Sequence, residues 1–240
     1  MLVFSTFFLL TVLTLRVSRI RARSFRRKTS EWGVDGFGLF FQGIGIPLLQ
    51  GLVILFLFSR IFPGLRKSLM MPGIVAFSIN FFLVDYLYYW NHRLLHHPIL
   101  WSTHSVHHSG EVVDVWTTSR NVFWAPLLII YLWINAFFIY VLKDPGWFLI
   151  SVALTASLDL WRHSNFGPLP GTRAHFILSK FFMTPVEHHW HHSRDVQDVN
   201  FGANLVFWDK LHGTYRAEKS WPVAYGLSEG SVPWRKLWIP

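Results

Sequence analysis

The sequence predicts an all-α integral membrane protein, a helical bundle of four or five membrane segments with a histidine-rich metal site on its cytoplasmic face. The first observation is composition: hydrophobic residues make up 52% of the 240 residues and charged residues only 15%, below the roughly 25% typical of soluble domains. The second is that ten of the 13 histidines fall in three short neighbourhoods. There is no cysteine, which excludes disulfides, thiolate metal sites and a cysteine nucleophile.

Five stretches are candidate membrane segments, since a bilayer core takes about 20 apolar residues per helix. Residues 36–59 and 121–142 carry no charge, while residues 72–91 carry only Asp85 and residues 145–161 only Asp159. Residues 1–15 could be a short anchor or a signal-peptide core. We expect them to be retained, because basic residues follow the apolar run and no small-residue cleavage site is evident.

The net charge of +9 is better explained by a membrane surface than by nucleic acid. Most of it lies in one run directly after the first apolar segment, and the positive-inside rule places such a run in the cytoplasm. Counting segments from there brings every histidine to the cytoplasmic side, although Arg60, Arg66 and Lys67 then lie on the far side. The run comprises Arg16, Arg19, Arg21, Arg23, Arg26, Arg27 and Lys28.

The histidine spacing is typical of metal ligands on helices. His92 and His96 stand four apart at the end of an apolar run, so both rings can reach one point. The pattern His-x-x-His-His occurs twice, at residues 104–108 and 188–192, and should place three rings on one face each time. His163 follows the fifth apolar segment.

The number of histidines favours two metal ions. A single zinc takes about four ligands, and neutral imidazole suits iron, zinc or copper. The alternative is that interfacial histidines are polar caps or pH-sensitive pairs. That reading suits one histidine better than a repeated pattern, because so many unligated rings would repel one another once protonated near pH 6.

At these residues the chain resembles the fatty acid hydroxylase and sterol desaturase superfamily of membrane diiron oxygenases. The matching text is "DYLYYWNHRLLHHPILWSTHSVHHS" from Asp85, "RHSNFG" from Arg162 and "TPVEHHWHHSRDVQDVNFGANLVFWDKLHGTY" from Thr184. The resemblance implies two iron ions, which zinc can replace in preparations. It also implies nine ligands, namely His92, His96, His104, His107, His108, His163, His188, His191 and His192.

Other histidines depart from the family pattern. His97 adjoins His96 and is a possible alternate ligand, because some relatives space this box differently. His189 is extra within the third box and should point away from the ligand face. His175 and His212 are expected not to be ligands.

Two acidic residues within membrane segments are candidates for orienting ligands, since metal-bound histidines usually donate their second nitrogen to a carboxylate or carbonyl. Asp159 lies one turn before His163, and Asp85 lies two turns before His92. The alternatives are an ion pair between Asp159 and Arg162, and hydrogen bonds of Asp85 within the bundle. Asn200 and Asp209 match family positions but are more simply interpreted as turn and cap residues.

The resemblance implies three parts: membrane anchors with a basic loop (1–72), a catalytic domain (73–220) and a C-terminal tail (221–240). The expected activity is O2-dependent hydroxylation or desaturation of a lipid C–H bond, with electrons from a partner redox protein. Two alternatives remain. A zinc-dependent membrane hydrolase would use Glu187 as general base, and a metal transporter would place its histidines near the membrane midplane.

Overall fold

We describe residues 1–227 of a computed structural model. This part of the chain is helical, and its only β-type pairings are isolated bridges. The helices are α1 (Leu2–Arg16), α2 (Ser18–Ser24), α3 (Thr29–Ile61), α4 (Gly73–Leu95), α5 (Pro98–His108), α6 (Ala125–Leu128), α7 (Ile130–Val141), α8 (Gly146–His163), α9 (Arg173–Leu178), α10 (Pro185–His191) and α11 (Phe207–Leu211), with a short 3-10 turn at Pro63–Leu65. The all-helical prediction is confirmed for this region.

Two of these helices, α3 and α4, have the length and apolar composition to cross a membrane. A third span is added if α1 and α2, which meet at a bend of 104°, are counted together. The predicted segment 121–142 is instead divided at Ile129, whose backbone is extended, and α7 has only 12 residues. The Asn91 side chain occupies the break, donating to Leu128 O and accepting from Ile130 N. The protein is therefore an integral membrane protein with two or three long apolar helices in the described region.

The bundle is organised around α8, which packs against α1, α4 and α10. Leu160 of α8 lies in one apolar cluster with Leu10 of α1, and Phe148 lies in another with Ala76 of α4. Asn80 donates a 3.1 Å hydrogen bond to Asn135, joining α4 to α7 in the buried interior. These contacts hold the ends of α4 and α8, where histidines lie, side by side.

A buried ionic cluster joins the N-terminal helices to the loop that follows α5. Asp35 of α3 binds both Arg27, at 2.9 Å, and Arg120, at 2.6 Å, and all three side chains are almost fully buried. Arg27 also binds Asp114 at 2.7 Å, and Arg120 binds Glu31 at 3.3 Å. The two arginines and three acids nearly neutralise one another, which makes burial of so many charges tolerable.

Helix α3 passes very close to the same loop. A Cβ at Gly38 would overlap the backbone carbonyl of Ser119, so this position requires glycine. Three turns of the long helices are π-helical, at Phe41–Gly45 and Val53–Phe58 in α3 and at Ile79–Val84 in α4. Such widened turns frequently occur at functional sites.

Candidate metal centre

The turn between α4 and α5 brings the first two histidine boxes together. Pro98 is the first residue of α5, and a proline disfavours helical conformation in the residue before it. That residue, His97, is extended (φ −64°, ψ 141°) and caps α5, its Nδ1 accepting from Ile99 N at 3.4 Å. The chain therefore reverses within two residues and lays α5 beside the end of α4.

The structure brings all nine predicted ligands together in two groups. Within each group, one nitrogen from every ring lies within 4.8 Å of the others. Group A contains His92, His96, His104, His108 and His191, and group B contains His107, His163, His188 and His192. The two groups adjoin, since the ring centroids of His108 and His192 are 4.4 Å apart.

Each His-x-x-His-His pattern is shared between the two groups, so the three rings that share a helix face do not all serve one point. His104 and His108 join group A while His107 joins group B. The other pattern is reversed, with His188 and His192 in group B and His191 in group A. Residues four apart are offset by only about 40° around a helix, whereas the residue three along lies about 60° to the other side.

The outer nitrogens of four rings are fixed by backbone carbonyls. His92 Nδ1 donates to Phe201 O at 2.8 Å, and His191 Nδ1 to Val199 O at 2.7 Å. His107 Nδ1 donates to Arg120 O at 3.1 Å, and His163 Nδ1 to Asp159 O at 2.8 Å. Because a carbonyl only accepts, each Nδ1 carries the proton and each Nε2 presents a lone pair to the centre of its group.

These lone pairs face one another, which is the observation that fits a bound cation. His107 Nε2 and His163 Nε2 are 3.4 Å apart, and neither carries a proton to share. His92 Nε2 lies 3.0 Å from His104 Nε2, and the buried Nε2 atoms of His96, His108 and His191 have no hydrogen-bond partner in residues 1–227. Unpaired buried acceptors are costly, and a metal ion in each group would satisfy them.

The environment keeps the imidazoles neutral, the form that binds metal. Burial, reinforced by neighbouring histidines, lowers the pKa of His96 to about 2. Burial is also the main reason that the pKa of His191 falls to about 4. The same cause holds the pKa values of His104, His107, His108, His188 and His192 well below 6.5.

Of the two roles that the sequence left open for Asp85, the structure shows hydrogen bonds within the bundle. Its carboxylate accepts from Asn204 N and Trp208 Nε1, both at 2.8 Å. It stabilises the 201–208 loop, and through that loop the carbonyl of Phe201.

Asp159 combines the two roles that the sequence left open. It binds Arg162 at 2.6 Å, and its carboxylate lies 3.2 Å from His163 Nδ1, beside the backbone carbonyl that receives that proton. Arg162 in turn donates to Ala203 O at 2.9 Å. The Asp159 carboxylate therefore lies against the predicted ligand His163 and also forms the ion pair with Arg162.

Sequence reasoning underestimated Asn200 and Asp209. Asp209 accepts from Phe201 N at 2.7 Å and from Gly202 N at 2.8 Å, fixing the loop whose carbonyl orients His92. Asn200 has a positive φ of 55° and donates to Glu187 O at 3.0 Å, which ties the same loop to α10. In the sequence, their match to family positions was the indication that Asn200 and Asp209 serve the site.

The remaining histidines lie outside both groups. His189 is buried, with Nδ1 2.8 Å from the Tyr225 hydroxyl and Nε2 3.2 Å from His163 O. His212 stacks on Tyr86 and Tyr89. His175 Nε2 bonds Glu187 at 2.8 Å.

The Glu187 carboxylate is buried and fully engaged. His175 binds one oxygen and the Thr184 hydroxyl donates to the other. A carboxylate held in this way is poorly placed to take a proton from a metal-bound water. The geometry therefore disfavours a zinc-dependent hydrolase that uses Glu187 as its general base.

His97→Ala should leave the metal content of the protein unchanged, because His97 is exposed and belongs to neither group. Loss of its cap on α5 should cost about 1 kcal/mol of stability. Metal analysis of the purified variant checks this expectation. A fall to half the wild-type metal content would show that His97 is a ligand.

The helical membrane fold and the paired histidine groups define a class of histidine-rich membrane metalloproteins. A family model, "Fatty acid hydroxylase", matches residues 77–214, more than half of the chain. The chain belongs to the fatty acid hydroxylase family.

Named relatives are similar over part of their length. Alkylglycerol monooxygenase of Xenopus tropicalis is 33% identical over 158 residues, covering 62% of this chain and 32% of the relative. Ornithine lipid hydroxylase OlsE of Rhizobium tropici is 37% identical over 59% of this chain and 42% of its own. Methylsterol monooxygenase 2-1 of Arabidopsis thaliana is 26% identical over 71% of this chain and 66% of its own length. The chain thus spans about a third of the length of the alkylglycerol monooxygenase. No match was found among solved structures.

Proposed function

We propose that this protein is an O2-dependent diiron enzyme that hydroxylates or desaturates a C–H bond of a membrane lipid. The observation that carries the proposal is the convergence of unprotonated Nε2 atoms in two adjoining groups. Similarity to relatives named as lipid hydroxylases and monooxygenases supports the reaction class. When bound, iron would supply the reduction of O2 and the removal of hydrogen from an unactivated carbon.

The protein's own residues hold and orient the site. Groups A and B would each hold one iron ion, and the backbone carbonyls facing His92, His107, His163 and His191 would fix the direction of those ligands. A partly apolar cavity lies beside the histidines. Its wall contains Leu95, Ile129 and Leu132 together with four ligands, namely His104, His107, His163 and His188. We propose that part of the lipid lies in this cavity, against the histidines.

The membrane arrangement is part of the proposal. The basic run at residues 16–28 supports placing the histidine end of the bundle on the cytoplasmic side. We propose that α1, α7 and α8 complete the membrane-embedded bundle around α3 and α4, giving the four or five segments that the sequence suggests. We also propose that residues 1–72 anchor a catalytic domain at 73–220, followed by a tail, of which residues 228–240 lie outside the described region.

We propose that electrons come from a separate redox protein. A cytoplasmic histidine end would be accessible to such a partner. O2 and a lipid are the other two reactants.

Purified protein should bind close to two metal ions per chain. Zinc can displace ferrous iron during overexpression because sites of this kind hold it more tightly, so the metal count is a firmer test than its identity. Elemental analysis of protein reconstituted anaerobically with ferrous iron gives the count, and a reproducible value of one would overturn the diiron proposal. O2 consumption on adding reductant and lipid separates an oxygenase from a zinc hydrolase.

A further inference from the structure

Gln42 is a polar side chain on an otherwise apolar membrane helix. It lies in the uncharged stretch 36–59 of α3, within the π-helical turn Phe41–Gly45. It stands seven residues beyond Asp35, which is about 10 Å deeper along the helix axis. No residue in 1–227 hydrogen-bonds its side-chain amide. The side chain is exposed on the bundle, and a polar group left unpaired within a membrane span is costly, so a bound polar partner would stabilise it.

Gln42 lines two neighbouring cavities of the bundle. One is the histidine-lined cavity described above. The other, which we name the α1–α3 groove, runs between α1, α3 and α8 and encloses about 780 Å³ including its open mouth. Both are lined by Gln42, Thr118 and Asp159, so the groove adjoins the histidine-lined cavity.

The lining of the α1–α3 groove changes character along its length. Its apolar wall is formed by Val3, Phe4, Phe7, Leu39, Phe40 and the buried Leu160. Phe4 is 69% exposed and Phe40 61% exposed, so the mouth opens on a surface suited to lipid. The inner end is polar but has no unpaired charge, because Asp159 is bound to Arg162.

We propose that the α1–α3 groove holds the alkyl chain of the lipid substrate, and that Gln42 hydrogen-bonds the neutral polar group of that lipid beside group B. This rests on the proposed function. The gradient from apolar to polar lining fits a single-chain amphiphile, and the paired state of Asp159 favours a hydroxyl, ether or amide over a charged head group. The amide of Gln42 can both donate to and accept from such a group.

The proposal assigns substrate selection to residues outside the region matched by the family model. Most of the groove wall comes from α1 and α3, which precede residue 77. The N-terminal helices would therefore do more than anchor the protein. They would form the wall that distinguishes one lipid from another.

A photoreactive long-chain alcohol tests the proposal. The full chain, reconstituted in phospholipid nanodiscs and stripped of metal with a chelator, is exposed to hexadecanol that bears a diazirine on its chain. Peptide mass spectrometry should find labels on α1 and on residues 39–43 of α3. Absence of label from the groove would overturn the proposal, whether the groove is then covered by another part of this chain or by a second copy.

Matched variants of α3 give the quantitative test. Gln42→Leu should weaken binding of the alcohol roughly threefold to tenfold, the effect of one lost hydrogen bond, while Gln50→Leu should not. Gly43→Phe should block chain labelling and Gly51→Phe should not, because an added Cβ meets nothing within 4 Å at either glycine but only Gly43 lines the groove. Equal effects within either pair would refute the assignment.

The result is separable from the proposed function because labelling needs neither metal nor turnover. Intact groove labelling in a protein without oxygenase activity would refute the proposed function alone. Oxygenase activity without groove labelling would refute the present inference alone.

Discussion

Replacing His107 with alanine should abolish turnover and remove about one of the two metal ions. Group B has four histidines, so the variant keeps three, and its metal affinity should fall steeply. His107 is also the ring that connects group B to the carbonyl of Arg120. Metal titration and lipid oxidation of the folded variant measure the two effects.

His104→Ala is the matched comparison on the same helix. Group A has five histidines and keeps four, which is the usual number for a complete tetrahedral site. This variant should therefore lose less metal affinity than His107→Ala, although its altered geometry should still slow turnover. Equal loss of both metals in the two variants would mean that the histidines form one shared site instead of two groups.

The membership of the site could be predicted from the sequence because histidine spacing is a local property of helices. All nine predicted ligands came together, while His97 and His212 did not. The assignment of each ring to a group could not be predicted in the same way. It depends on how α5 and α10 face one another across the bundle, and spacing within one helix contains no information on that angle.

The parts that position the ligands were harder to predict, because most are backbone atoms. Carbonyls of Phe201, Val199 and Arg120 hold three rings, and no side-chain pattern identifies a carbonyl. The sequence left the role of Asp85 open between orienting His92 and bonding within the bundle, and its partners lie more than 100 residues away. The break at Ile129 could not be predicted either, because the Asn91 side chain that stabilises it comes from another helix.

The ionic cluster around Asp35 gives the second large expected effect. Asp35→Ala would leave Arg27 and Arg120 buried, each with only one acidic partner. Breaking a buried pair in this way costs about 3–5 kcal/mol, whereas removal of Glu218 from its exposed pair with Arg216 should cost under about 1 kcal/mol. Thermal unfolding of both variants in the same detergent measures the difference.

The same cluster should also control group B, because the backbone of Arg120 receives the proton of His107 while its side chain binds Asp35. Releasing that side chain should let the carbonyl move and lower the metal affinity of group B by about 10 to 100-fold, the usual effect of losing a group that orients a ligand. Since Asp35→Ala could fail to fold, Gly38→Ala provides an independent test. Its methyl group would push α3 away from Ser119 without changing any charge, whereas Gly33→Ala meets no neighbour. Weaker metal binding in Gly38→Ala but not in Gly33→Ala is the expected result, and unchanged binding in both would show that the N-terminal helices do not support the metal centre.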